Sequence, residues 1–221
     1  MLDAPAAVLW DMDGTLVDTE PYWIDTEFAM AEKYGATWTT EDALQLVGND
    51  LLVSGEYIRR RMGLEQSAAE VVEELLDGVV ARISDAIPWR PGARELLGDL
   101  RRAGVRCALV TMSYRRFAEP ILAGLVAEDD GAFEVVVTGD EVEHGKPHPA
   151  PYLRAAWLLG VEPGDCVAIE DSSTGVASAV AAGCRVLAVP HHVPVPAGPG
   201  HVQAPTLEGL DTAALWAAVR G

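Results

Sequence analysis

Two aspartates separated by one residue, Asp11-Met12-Asp13, directly follow an apolar run that starts at Ala6, and Gly14 follows them. A carboxylate at the end of a strand is held on a rigid element and can attack phosphorus, leaving an aspartyl phosphate. Asp13 lies beyond the strand, beside the first carboxylate but not buried with it. It is placed to protonate a leaving alcohol and then to take a proton from the water that hydrolyses the intermediate. Gly14 permits the sharp turn that this requires. Asp11 and Asp171 offer hard oxygen ligands for Mg²⁺. Lys146 offsets the negative charge and reaches the phosphoryl oxygens, and the Thr111 hydroxyl donates to the same oxygens. Phosphoryl transfer demands mainly positioning and charge neutralisation, so this set suffices. Read singly, the residues say less. A lone Asp at a strand end is usually a turn or helix cap, and Asp171 or Ser172 alone reads as the N-cap of a helix at Gly175. Lys146 alone reads as a solvated surface residue, and Thr111 alone as strand-end polarity. Their order, each at a successive strand end, carries the chemical reading.

The elements that position them follow from patterning. Five apolar runs read as buried parallel strands: Ala6–Trp10, Val105–Val110, Glu134–Val137, Cys166–Ile169 and Arg185–Val189. Helical patterns fall between most of them: from Pro91 to before Gly104, Arg115 to Val126 interrupted by Pro120, Pro151–Leu159, and Gly175–Ala182. Alternating strand and helix predicts an α/β fold, a Rossmann-like three-layer core with a parallel sheet. Ligands of such sheets bind beyond the carboxyl ends of the strands, where Asp11, Thr111, Thr138-Gly139-Asp140 and Glu170-Asp171 stand.

Residues 19–87 break the alternation and hold only helical signals. Pro21 opens a helix that Gly35 closes. Thr39 caps a short helix ending at Gly48. Leu51–Met62 is a third. Ser67 and Glu70 form a capping box for a fourth, which Pro88 stops. The expected organisation is a catalytic core of residues 1–18 and 88–221, with a helical domain of residues 19–87 inserted after the first strand. Pro190–Pro205 reads as a loop before a final helix at Leu207–Val219.

Composition narrows the partners. Apolar residues make up 49% and charged residues 23%, with a net charge of −18. That charge disfavours nucleic acid and repels anionic substrates at long range, so a phosphate ester needs local positive charge. No apolar run approaches the roughly 18 residues of a membrane helix, and the start of the chain, with Asp3 and no basic residue, does not read as a signal peptide. These features predict a cytoplasmic protein without membrane or nucleic-acid partners, monomeric or a weak homodimer. Cys107, Cys166 and Cys184 sit in or beside apolar runs without metal-like spacing and read as buried free thiols. His191 and His192 invite a metal reading, but their loop has no carboxylate beside them in sequence.

With these residues in view, the chain resembles the haloacid dehalogenase-like superfamily, in the branch with a helical cap after the first strand. The matching residues are Asp11-Met12-Asp13-Gly14-Thr15-Leu16-Val17-Asp18, then Thr111, then Gly145-Lys146-Pro147-His148-Pro149, then Ile169-Glu170-Asp171-Ser172-Ser173-Thr174-Gly175. They span essentially the whole chain. The resemblance implies a mobile cap, Mg²⁺ and an aspartyl-phosphate intermediate. It also implies that the Asp13 main-chain carbonyl is a further metal ligand and that Glu170 supports the metal through water.

Within this branch the chain is similar to sugar-phosphate phosphatases and to β-phosphoglucomutase. The mutase pattern has a His where Trp23 stands and an Arg where Leu51 stands, which favours hydrolysis over transfer. Dehalogenases lack the counterpart of Asp13. Phosphonate hydrolases need a cap lysine, for which Lys33, a solvated helix residue, is the one candidate. A catalytically retired binding protein would have lost Asp11, Asp13 or Lys146. The expected partner is a small phosphorylated metabolite, a sugar or sugar-alcohol phosphate. Specificity must come from the cap, with Trp23, Val47, Asn49 and Ser54 as candidates.

Overall fold

The computed structural model describes residues 4–46, 50–127 and 133–220. The chain divides into two compact units, one of Met1–Asp18 with Trp89–Gly221 and the other of Thr19–Pro88.

The first unit opens with β1 (Ala7–Trp10), all of whose side chains are buried. The chain then leaves for four helices: α1 (Glu20–Tyr34), α2 (Thr40–Leu44), α3 (Leu51–Met62) and α4 (Ala68–Asp85). It returns through α5 (Ala93–Arg102), β2 (Arg106–Val110), α6 (Arg115–Ala127), β3 (Val135–Val137), α7 (Ala150–Leu159), β4 (Cys166–Glu170), α8 (Ser173–Ala181), β5 (Arg185–Ala188), β6 (His201–Gln203) and α9 (Thr212–Arg220). The strands form one parallel sheet in the order β3-β2-β1-β4-β5-β6. The α/β Rossmann-like fold is therefore as the pattern predicts. Successive strands step to one side of β1 and then, from β4, to the other. The switch in direction lies between β1 and β4, the place at which sheets of this topology take their ligands.

Strand side chains alternate between two buried faces, which is why the central strands read as unbroken apolar runs. Leu9, Ala108, Val110, Ala168 and Val186 join Tyr152, Ala155, Leu159, Val176 and Ala179 of α7 and α8 in one core. The helices α5 and α9 pack together elsewhere on the sheet. The three cysteines are free and buried, and burial pushes each thiol up to about 12.

Two expectations for this unit change. The stretch Pro190–Pro205 is not wholly loop, because His201–Gln203 pairs with Val186–Ala188 as an edge strand. The last helix begins at Thr212 rather than Leu207. Gly209 takes a left-handed φ of 77°, and the Asp211 carboxylate then accepts from Ala214 N at 2.7 Å, fixing the helix start there.

The helical unit is built as its end signals predict. Gly35 adopts the left-handed conformation that ends α1, and Gly63, which was not among those signals, ends α3 in the same way. Ser67 and Glu70 form a reciprocal capping box at the start of α4. One face of α4 buries Val71, Val72, Leu75, Leu76, Val79 and Ile83. It packs closely on α3, where a Cβ at Gly55 would meet Ala68 O at 2.6 Å. Met30, Trp38, Ile58, Val71 and Leu75 form the core of the unit. The expected end of α2 at Gly48 lies outside the described residues. No helix among the described residues is long and apolar enough to cross a membrane.

Candidate active site

Asp11 stands one residue beyond β1, and its amide donates to Ile169 O of β4 at 3.0 Å, so its backbone continues the central ladder. The residue is only 7% exposed. The chain then turns tightly: Gly14 N bonds Val17 O at 2.7 Å, and Leu16 N bonds Met12 O at 2.9 Å. Gly14 has φ +81°, and a Cβ there would fall 2.0 Å from Asp171 Oδ2. Both the conformation and the close approach of a second carboxylate demand glycine at this position.

Lys146 is almost fully enclosed, and its ammonium donates three hydrogen bonds: to Asp11 Oδ1 at 2.6 Å, Glu170 Oε1 at 2.6 Å and Val110 O at 2.8 Å. It is not the solvated residue that it would be in isolation. Burial alone would push this amine down, but the charges of Asp11 and Glu170 more than reverse that and hold it well above the ordinary lysine range. Glu170 ends β4 with no exposed surface. Its Oε1 accepts from the Tyr152 hydroxyl at 2.6 Å and its Oε2 from Ser172 Oγ at 3.3 Å. Burial and the charge of Asp11 push Glu170 up. Ser172 caps α8 through Gly175 N, which leaves Asp171 free of that duty.

Thr111, one residue past β2, is completely buried. Its Oγ1 lies 3.3 Å from Asp13 Oδ2 and accepts from Ser113 N at 3.0 Å. Ser113 Oγ donates to the same Asp13 oxygen at 2.7 Å. Two hydroxyls thus hold one oxygen of the Asp13 carboxylate. Ser113 and Tyr152 did not emerge from sequence reasoning. The spacing Thr111-Met112-Ser113 was the available signal for the first, and Tyr152 gave none, because an aromatic in α7 reads as core.

Oxygens of Asp11, Glu170 and Asp171 lie within 4.8 Å of one another, an arrangement able to hold a cation. Burial, then the charges of Asp11 and Glu170, push Asp171 up to about 9. With Asp13 also present, Lys146 is, among the described residues, the one ammonium beside four carboxylates. A divalent cation with a preference for hard oxygens relieves that imbalance, so the donor set fits Mg²⁺.

The cap candidates are less concentrated. Trp23 of α1 is half-buried and packs against the helical core. Ser54 is buried within α3. Val47 and Asn49 lie outside the described residues. Lys33 is exposed and paired with Glu74 at 2.8 Å. On the outer face of α3, Arg59 and Arg60 pair with Glu56, and Arg61, also exposed, reaches Asp42 at 2.8 Å.

Comparison with known proteins agrees with this arrangement. The profile of the haloacid dehalogenase-like hydrolases matches residues 5–183. The chain is 36% identical over 184 residues to hexitol phosphatase A of Escherichia coli, covering 82% of this chain and 81% of that protein. It is 35% identical over 191 residues to a phosphorylated carbohydrates phosphatase of Thermotoga maritima, covering 84% and 85%. The crystal structure of a CbbY mutant from Rhodobacter sphaeroides in complex with xylulose-1,5-bisphosphate superposes with a TM-score of 0.79 at 26% identity, covering 96% of this chain and 99% of that one. The chain belongs to the haloacid dehalogenase-like hydrolase family.

Proposed function

We propose that the protein is a Mg²⁺-dependent phosphatase of small phosphate monoesters, acting on sugar or sugar-alcohol phosphates through a phosphorylated Asp11. The observation that carries this reading is the Lys146 ammonium bridging Asp11 and Glu170, beside an Asp13 carboxylate held by two hydroxyls. The names of the hexitol and phosphorylated-carbohydrate phosphatases support the substrate class.

Asp11 is the nucleophile. Lys146 takes one of its oxygens, which leaves the other for attack on phosphorus. Asp13 gives a proton to the departing alcohol and then removes one from the attacking water. Ser113 fixes the carboxylate for both transfers. Lys146 and Thr111 are assigned to the phosphoryl oxygens, Thr111 by turning its hydroxyl from Asp13, which Ser113 still holds. Asp11, Asp171 and the main-chain carbonyl of Asp13 would hold Mg²⁺, with Glu170 supporting it through water. When bound, the ion neutralises charge on the phosphoryl group and on the acid cluster. The Thr19–Pro88 unit is assigned the role of a substrate-selecting cap, and the working compartment is taken to be the cytoplasm.

Phosphorus NMR with hexitol and hexose phosphates tests the reading. Free phosphate should grow in stoichiometrically, stop in EDTA and resume with excess Mg²⁺. An isomeric sugar phosphate without free phosphate would instead establish a β-phosphoglucomutase-like transferase. Undiminished turnover in chelator would refute the metal requirement.

A further inference from the structure

Asp18, the last residue before the chain crosses into the helical unit, receives two imidazoles from the loop after β5. His191 Nε2 lies 3.0 Å from Asp18 Oδ2, and His192 Nε2 lies 2.8 Å from Asp18 Oδ1. The two rings are 3.9 Å apart between centroids. Nitrogens and oxygen all lie within 4.8 Å of one another. The carboxylate missing beside these histidines in sequence is thus supplied from 173 positions away or more in the chain.

We propose that Asp18, His191 and His192 form a second divalent-cation site, one that takes an imidazole-preferring transition metal of the Zn²⁺ class rather than Mg²⁺.

Two imidazole nitrogens and one carboxylate oxygen form a donor set suited to Zn²⁺, Ni²⁺ or Cu²⁺. Mg²⁺ is bound through oxygen and water and gains little from the nitrogens. The acid cluster at Asp11, Glu170 and Asp171 has the opposite character, all oxygen. The two clusters therefore sort two kinds of cation within one unit. The side chains of the second cluster are partly exposed, so an ion can enter from solvent without disturbing the core.

A carboxylate only accepts, so each Nε2 placed against Asp18 donates to it in the tautomer that this contact selects. A metal at this point takes the place of those two protons. His192 needs only to move its proton to the other ring nitrogen. His191 is more constrained, because Arg90 Nη1 lies 2.8 Å from its Nδ1 and 3.2 Å from its Nε2. That guanidinium occupies the nitrogen that must carry a proton when Nε2 binds metal, so Arg90 and the metal compete. Arg90 itself follows the returning crossing by one residue, and its amide bonds Leu16 O at 3.0 Å. Metal binding would then cost His191 its contact with Arg90 while keeping it beside Asp18.

The whole chain should be dialysed against micromolar Zn²⁺ in millimolar Mg²⁺, and bound zinc measured. One Zn²⁺ per chain is expected. His191→Ala and His192→Ala should each weaken it by more than the roughly tenfold that loss of an outer-shell partner brings. Cobalt absorption should show the same losses, with far-UV circular dichroism unchanged. The His144–His148 ring pair, 4.8 Å apart, is the competing location, and His144→Ala should leave zinc binding intact. Arg90→Gln should tighten it. No retained zinc, or equal retention in the His191→Ala/His192→Ala double variant, overturns the site. Unchanged or weaker binding in Arg90→Gln overturns the assignment of His191 Nε2 as a ligand.

Discussion

Asp13 is the side chain on which both halves of the proposed reaction turn. Positioned proton transfer is typically worth roughly 10²–10⁴ in rate, so Asp13→Asn should lower kcat on sugar phosphates by about that much. Nitrophenyl phosphate, whose leaving group needs no proton, should still phosphorylate Asp11, and trapping of phosphoenzyme in rapid-quench experiments checks this. Ser113→Ala removes the 2.7 Å hydrogen bond to the same carboxylate. A hydrogen bond to a charged group is worth about 1.5–3 kcal/mol, so kcat should fall roughly ten- to a hundredfold, with KM little changed. A loss confined to KM would mean that Ser113 holds substrate instead. The difference in how visible these two residues are in sequence has a physical basis. Asp11, Asp13 and Asp171 at strand ends, with Lys146 in the loop after β3, are ordinary singly, and it is their order along the chain that betrays them. Ser113 and Tyr152 touch other side chains of the site, and a serine in a loop or a tyrosine in a helix is too ordinary to stand out.

At the level of elements, α1 carries a cost that patterning did not reveal. Glu27 is buried, and Trp38 Nε1 donates to its carboxylate at 3.2 Å. Burial pushes its pKa up from 4.5 to about 8, against the lowering effect of the Trp38 bond and with a further rise from Glu20. The folded state thus favours the protonated acid. The penalty for ionising it is absent below about 4.5, grows as pH rises and is complete above about 8. Glu27→Gln should therefore gain on the wild type steadily across that window, and melting temperatures at pH 5 and pH 9 measure the gap. A gap independent of pH would show that Glu27 is ionised in the folded unit. Elements with their own end signals were readable, such as α1 between Pro21 and Gly35 and α4 with its capping box, and so were β1 and β4 with continuous apolar runs. Strand β6 was not, because three residues acquire strand geometry only by pairing with β5 at the sheet edge. The start of α9 was obscured because Leu207 and Leu210 continue the apolar pattern through a turn that Gly209 and Asp211 impose.

For the molecule as a whole, a net charge of −18 opposes the approach of every phosphate ester. Raising ionic strength from about 0.01 M to about 0.15 M shortens the screening length from roughly 30 Å to 8 Å, so kcat/KM should rise with added KCl while kcat stays level. A fall would mean that local positive charge already governs capture. Trp23→Ala probes the assigned role of the helical unit. It should reduce kcat/KM for a hexitol phosphate far more than for an aryl phosphate, whereas equal losses would assign Trp23 to packing alone. The distribution of lysines also has a practical consequence. The sequence contains only Lys33 and Lys146. The side chain of Lys33 is 61% exposed, and that of Lys146 is 5% exposed with three partners. Amine-reactive reagents should therefore acylate the folded protein at Lys33 and the terminal amine while sparing the reaction centre. A dye or a resin attached through Lys33 would mark the helical unit, with the terminal amine as the second point of attachment, on the other unit.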